Sequence, residues 1–325
     1  MVEIRSTDDG LLLNGSILCL DSYHSKHISF LSSALYPFQN IDASIITTEE
    51  TQRILQTFRR RPKALICQYN RPFSLGKLHL ELLPSGGVLG GASLYVETGD
   101  SNFIYAPMLQ TRMVPGLPSI QLKPAKIMVM NAPYPPDMLE AGRREAEVSR
   151  FLERIKKDYR SGKRLTVLCH PVSTAQEITQ IVADEGIPVV VHPSIYQVNK
   201  IYEACGVKLG PYSRFGRRSN EEAVIILPHS RYLRVLPKML RGGRVVYMVQ
   251  NHLETRLPRY YTNIEDKFFF SQKASFIDIQ RAIRDDVKPK VILVFGPYTK
   301  QIVDSLDSRQ FPVRPLFQNN QPVLF

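Results

Sequence analysis

The chain has 325 residues, 43% of them apolar, and 42 Lys and Arg against 30 Asp and Glu, a formal net charge of +12. This composition excludes an intrinsically disordered chain, and no apolar run reaches the ~20 residues that a membrane-spanning helix needs. The polar opening MVEIRSTDDG carries no secretory pattern, and Cys19, Cys67, Cys169 and Cys205 form no CxxC pair, so buried reduced thiols in a cytoplasmic protein are expected. At ~150 residues per domain, the length predicts two domains.

Residues 11–21 end in the apolar run ILCL and predict a strand entering a core. The polar turn DSYHSKH follows at 21–27, and His27–Tyr36 is expected as a helix. Ala43–Thr47 predicts a short strand. Thr48–Arg60 predicts a helix with Thr48 as N-cap and Glu49 and Glu50 in its first turn, the favourable charge sign for that end. Ala64–Gln68 reads as a strand, and Gly76–Leu83 as a half-exposed one. The stretch PSGGVLGGAS at 84–93 suits tight turns and close backbone approach. It lacks a GK(S/T) ending and leads into a strand, which excludes a nucleotide-binding P-loop. Strands at Ala92–Glu97 and Asn102–Tyr105, joined at Gly99-Asp100, give this section an antiparallel style.

Lys126–Met130 predicts a strand and Pro135-Pro136 a boundary. Asp137–Tyr159 follows as a long charged amphipathic helix. Arg164–Cys169, Pro188–His192, Ala223–Leu227 and Arg244–Met248 predict strands, with helices at Thr174–Glu185 and Ser194–Ala204. That alternation is the pattern of a parallel α/β sheet. Phe268–Ser271, a helix Phe276–Asp285, a strand Lys290–Phe295 and a helix Thr299–Leu306 complete the chain.

Between Pro211 and Tyr260 ten Lys and Arg stand against three acids, so fifty residues hold +7 of the net +12. Arg214, Arg217, Arg218, Arg231, Arg234, Arg241 and Arg244 are the candidate contacts for a polyanion, most simply DNA or RNA. Tyr212, Phe215, Tyr232, Tyr247, Tyr260 and Tyr261 interleave with them, and aromatic faces beside guanidinium groups suit single-stranded bases. His170 and His192, each before a proline, read as hydrogen-bonded structural residues.

Three stretches, DSYHSKH at 21–27, LLPSGGVLGGASLYVE at 82–97 and RLTVLCHPVSTAQEITQIVADEGIPVVVHPSIYQVNKIYEACGVKLG at 164–210, together resemble the metallo-β-lactamase superfamily with a β-CASP cap. The similar branch is that of prokaryotic exonucleases, ligase-associated or mRNA 3′-end-processing-factor-like. The resemblance spans roughly Leu11 to Leu306 and is strongest at Ala175-Gln176-Glu177, Ile187-Pro188 and His192-Pro193. It implies an α/β fold, a metallo-β-lactamase αββα sandwich over 1–136 and 267–325. A β-CASP-like α/β cap would be inserted at 137–266.

The family's chemistry needs two divalent metals held by His and Asp to activate water and bind the scissile phosphate. Carried over position by position, its HxHxDH turn falls on Ser22, His24, Lys26 and His27, so two imidazoles match. The His of the glycine turn falls on Gly87, the bridging Asp of (S/T)GD on Met108, and the next acid on Asn131. The SDHAD motif becomes Ser271–Ser275 with Lys273 at its His, and the late xHG becomes Phe295-Gly296. Two imidazoles do not hold a two-metal cluster. A lysine ~4 Å from a unit positive charge is repelled by ~4 kcal/mol at an effective dielectric near 20. The resemblance therefore implies a catalytically inactive homologue without a metal cofactor, binding nucleic acid or serving an active nuclease paralogue or a repair or processing complex. In it, Lys26 and Lys273 would face the phosphates that metals once faced. The alternatives are an active zinc- or manganese-dependent phosphodiesterase with altered ligands, and a structural protein–protein module.

Overall fold

The computed structural model describes residues 3–7, 10–24, 26–35, 40–99, 101–216, 222–229, 244–250, 264–306, 312–316 and 323–324. The chain is mixed α/β and divides into two compact units, Met1–Glu140 with Lys273–Phe325, and Ala141–Gln272.

The first unit holds two seven-stranded sheets. One runs in spatial order Val323–Leu324, Glu3–Thr7, Gly10–Asn14, Leu18–Leu20, Ile28–Phe30, Ile45–Thr47, Ala64–Ile66. The other runs Val313–Pro315, Val291–Phe295, Ile127–Asn131, Ser101–Ala106, Ala92–Thr98, Leu78–Pro84, Phe73–Leu75. Leu18, Leu20, Phe30 and Ile46 of the first share one buried cluster with Leu82, Leu94, Phe103, Tyr105, Val129 and Leu293 of the second. The sheets thus pack face to face, and each large side chain in the cluster contributes about 1.5–3 kcal/mol. The helix Thr299–Ser305 packs along Val291–Phe295 and Val313–Pro315.

Two expectations for this unit are corrected. The antiparallel style holds for the hairpins but not beyond them. Leu18–Leu20, Ile28–Phe30, Ile45–Thr47 and Ala64–Ile66 are mutually parallel, as are Ser101–Ala106 and Ile127–Asn131. The helix expected from His27 is instead the strand Ile28–Phe30 and a buried irregular segment to Leu35. The physical reason is capture of its backbone from both sides: Ile28 N–H donates to Ile17 O at 2.9 Å, Ser29 N–H to Ser44 O at 2.9 Å, and Leu31 N–H to Ile46 O at 2.9 Å. Glu49–Thr57 does form a helix, and Thr48 caps it by accepting from Thr51 N–H at 3.3 Å.

The second unit holds a six-stranded sheet, all parallel, in the order Ser213–Arg214, Val189–Val191, Val224–Pro228, Leu165–Cys169, Val245–Gln250, Ile264–Phe269. Its strands read VVV, VIILP and LTVLC because parallel strands are buried on both faces. The long helix expected from Asp137 begins only at Arg143. Pro136–Leu139 forms a separate 3-10 turn, and Gly142, at φ 77°, sits outside the helical region. One terminal nitrogen of Arg144 reaches both oxygens of Glu177 at 2.5 and 2.6 Å, tying that helix to Thr174–Asp184. Among the described residues no helix is long and apolar enough to cross a membrane.

Candidate functional site

Asp21 ends the strand Leu18–Leu20 at φ 49°, a left-handed conformation that Asp tolerates better than most residues. Its carboxylate accepts three hydrogen bonds, from Ser32 N–H at 2.7 Å, Ser32 Oγ–H at 2.8 Å and Tyr105 Oη–H at 2.7 Å. Burial pushes the Asp21 carboxyl above its usual range, and these three donors partly offset the shift. Tyr105 belongs to the opposite sheet, so its bond to Asp21 joins the two layers. Its ring lies stacked on Phe295, centroids 6.0 Å apart.

A closed circuit of contacts continues from there. Ser32 O accepts from Ala92 N–H at 2.8 Å, which places the glycine-rich turn beside it. Within that turn Ser85 N–H donates to Gly91 O, while Thr48 and Thr51 hydroxyls donate to Gly90 O at 2.8 and 2.9 Å. Gly87 has φ 71°, and a Cβ there would meet Gln110 Cγ at 2.7 Å and Gln110 Cβ at 2.9 Å. The buried side chain of Gln110 thus covers the spot from which a residue at 87 would project. Its Oε1 accepts from Arg112 N–H at 3.0 Å, which holds it there.

Met108, half-buried, leads into Leu109, whose carbonyl accepts from Ala274 N–H at 2.7 Å. That bond brings Lys273 into the circuit. Lys273 is buried and donates from Nζ to the carbonyl oxygen of Asn131. Burial pulls its ammonium down to a pKa of about 7. The Asn131 side chain in turn crowds Gly296, where a Cβ would come within 2.4 Å of Oδ1, and Gly296 adjoins Phe295.

The structure therefore brings together Gly87, Met108, Asn131, Lys273 and Phe295. It separates them in environment from most of the 21–27 turn. Ser22 is buried and donates from its N–H to Ser29 Oγ at 3.0 Å. His24, Lys26 and His27 are exposed, and His24 Nδ1 lies 3.1 Å from Asp42 Oδ2. The buried cation of the circuit is Lys273. Asp21, Ser32, Tyr105 and Gln110 carry its geometry and had no role assigned from sequence. The one available signal was a lone carboxylate closing an apolar strand.

A divalent metal does not fit these residues. Asp21 is engaged by three donors, and the other polar groups of the circuit are amides, hydroxyls, a thioether and an amine, not the imidazoles and carboxylates such a cluster requires. Among the described residues, no three His, Cys, Asp or Glu are grouped as a metal ion needs.

Of the basic candidates, Arg214 is exposed at the sheet edge. Arg244 turns inward, donating to Thr166 Oγ1 at 3.0 Å, Leu165 O at 2.7 Å and Ala223 O at 2.8 Å. Arg217, Arg218, Arg231, Arg234 and Arg241 lie outside the described residues.

The covering of Gly87 leads to a measurable expectation. Gly87→Ala should lower stability by about 2–4 kcal/mol, combining left-handed backbone cost with overlap. In a Gln110→Gly background both overlapping carbons are gone and only about 1–2 kcal/mol should remain. Urea unfolding of the four proteins of the cycle measures this, and strictly additive values would show that Gln110 does not occupy the space.

No family model matches the chain. Over 152 residues it is 20% identical to a protein described as a probable DNA ligase from Opitutus terrae, covering 47% of this chain and 15% of that one. The chain thus spans about a seventh of that relative's length. A solved structure of a protein of unknown function from Enterococcus faecalis V583 shares the fold, with a TM-score of 0.61 at 13% identity, over 90% of this chain and 93% of that one.

Proposed function

We propose that this protein is a catalytically inactive homologue of the metallo-β-lactamase nucleases with a β-CASP cap, and that it binds nucleic acid without cutting it. In this reading Met1–Glu140 with Lys273–Phe325 is the lactamase-like domain and Ala141–Gln272 the cap. The observation that carries the reading is the closed circuit at the strand ends, with Gln110 over Gly87 and Lys273 bonded to Asn131 where the family places ligands. The similarity to a probable DNA ligase and the net charge of +12 support a nucleic-acid partner, DNA or RNA.

The test is fluorescence anisotropy with labelled single-stranded DNA and RNA, run beside a cleavage assay supplied with zinc or manganese. Binding that engages about four phosphates of a single strand should weaken roughly fiftyfold between 50 and 200 mM salt. No cleavage should appear with either metal. Chelator-sensitive cleavage would instead favour an active phosphodiesterase with altered ligands. Salt-insensitive or absent binding would favour a protein–protein module.

A further inference from the structure

The strand Ala64–Ile66 is the last of its sheet, with Ile45–Thr47 on one side and, among the described residues, no strand on the other. Lys63 O accepts from Ile45 N–H at 2.8 Å and Cys67 N–H donates to Thr47 O at 2.9 Å. Ladder groups alternate in direction along a strand, so the N–H and C=O groups of Ala64 and Ile66 point outward. Leu65 and Ile66 are 54% and 42% exposed, the one adjacent pair among the described exposed large hydrophobics. An outward backbone row between exposed apolar side chains is a template for strand addition.

The surrounding charge selects the occupant. From Phe58 to Leu80 there are six Lys and Arg and no Asp or Glu. Arg59, Arg61, Lys63, Arg71 and Lys77 are all exposed. A second copy would bring the same cations against this edge and be repelled. Pro62 and the short strand further limit self-pairing. An acidic segment meets neither obstacle.

We propose that this edge is a docking surface for an acidic, extended segment of a partner protein, which adds to the sheet as a further strand beyond Ala64–Ile66. The proposal is independent of nucleic-acid binding. It is tested with the full chain and a labelled peptide of alternating Glu and Val, about ten residues long, against a Lys-Val control. The Glu-Val peptide should bind at about 50 mM salt and slow hydrogen exchange at the Ala64 and Ile66 amides. Reversing two exposed charges, Arg61→Glu with Lys63→Glu, should weaken binding about tenfold or more. Ile66→Pro, which removes an outward N–H and no ladder bond, should abolish it with the circular dichroism spectrum unchanged. If that variant fails to fold, the charge-reversed protein decides. Absence of binding, equal binding of the Lys-Val peptide, or binding without protection of the two amides would overturn the proposal. So would protection produced by self-association or by a single-stranded oligonucleotide alone.

Discussion

Replacing Asp21 with alanine should lower stability by about 3–4 kcal/mol, while Asp21→Asn should cost about 1 kcal/mol or less. Alanine removes the acceptor of three hydrogen bonds and leaves the Ser32 N–H and the Tyr105 hydroxyl, both on buried residues, with that acceptor gone. A buried donor that loses its acceptor costs about 1–3 kcal/mol, more than the bond itself contributed. Alanine also tolerates φ 49° less well than Asp or Asn. Asparagine keeps one oxygen for Tyr105 and Ser32 and accepts the left-handed conformation. The pH dependence provides a second check. Burial raises the Asp21 carboxyl pKa above 3.8, so its contribution is fully present below that value and is lost as pH rises through the folded-state pKa. Asparagine does not titrate, so the stability of Asp21→Asn relative to the parent should improve from acid to neutral pH. Urea unfolding from pH 3 to 8 measures this. An Asp21→Ala variant as stable as the parent would mean that the carboxylate does not hold the circuit together.

The fold was most legible where single segments carry their own signal. Buried parallel strands such as Val189–Val191 and Leu165–Cys169 are continuous apolar runs, and the helices between them show helical periodicity. Ile28–Phe30 was not legible, because a three-residue strand has no measurable period and its pairing with Ile46 is set by distant residues. The same divide runs through the site. Under the proposed function, the lost ligand positions at Gly87, Met108 and Lys273 could be read from the sequence. What fills their place could not: Gln110 lies 23 residues from Gly87, and nothing in a glutamine announces that it will cover a turn. Asp21 stood in plain view, but its three donors come from residues 32 and 105.

Lys273→Met should make the protein more stable at pH 6–7, by about 1–3 kcal/mol, with the gain disappearing towards pH 10. The sign follows from burial. Taking the ammonium out of water lowers its pKa from 10.5 to about 7, so the native state disfavours the charge that the unfolded chain accepts. Stability is therefore lost as pH falls from 10.5 and is lowest below about 7. A shift of that size corresponds to roughly 3–5 kcal/mol. Methionine has a similar length and no charge to desolvate, so it escapes this cost. It also gives up the Nζ bond to the Asn131 carbonyl, at about 1–2 kcal/mol, which sets the smaller net figure. Thermal or urea unfolding of both proteins from pH 6 to 10 gives the comparison. Two pH curves that run parallel would show that burial does not lower the Lys273 pKa in the folded protein. A variant less stable than the parent at pH 6 would show that its hydrogen bonds outweigh its desolvation. The same variant bears on binding, because a lysine that is 5% exposed is poorly placed to meet a phosphate from solvent. Under the proposed function, nucleic-acid affinity should thus survive Lys273→Met, and the loss of binding expected from removing surface cations should come instead from exposed residues such as Lys26 and Arg214.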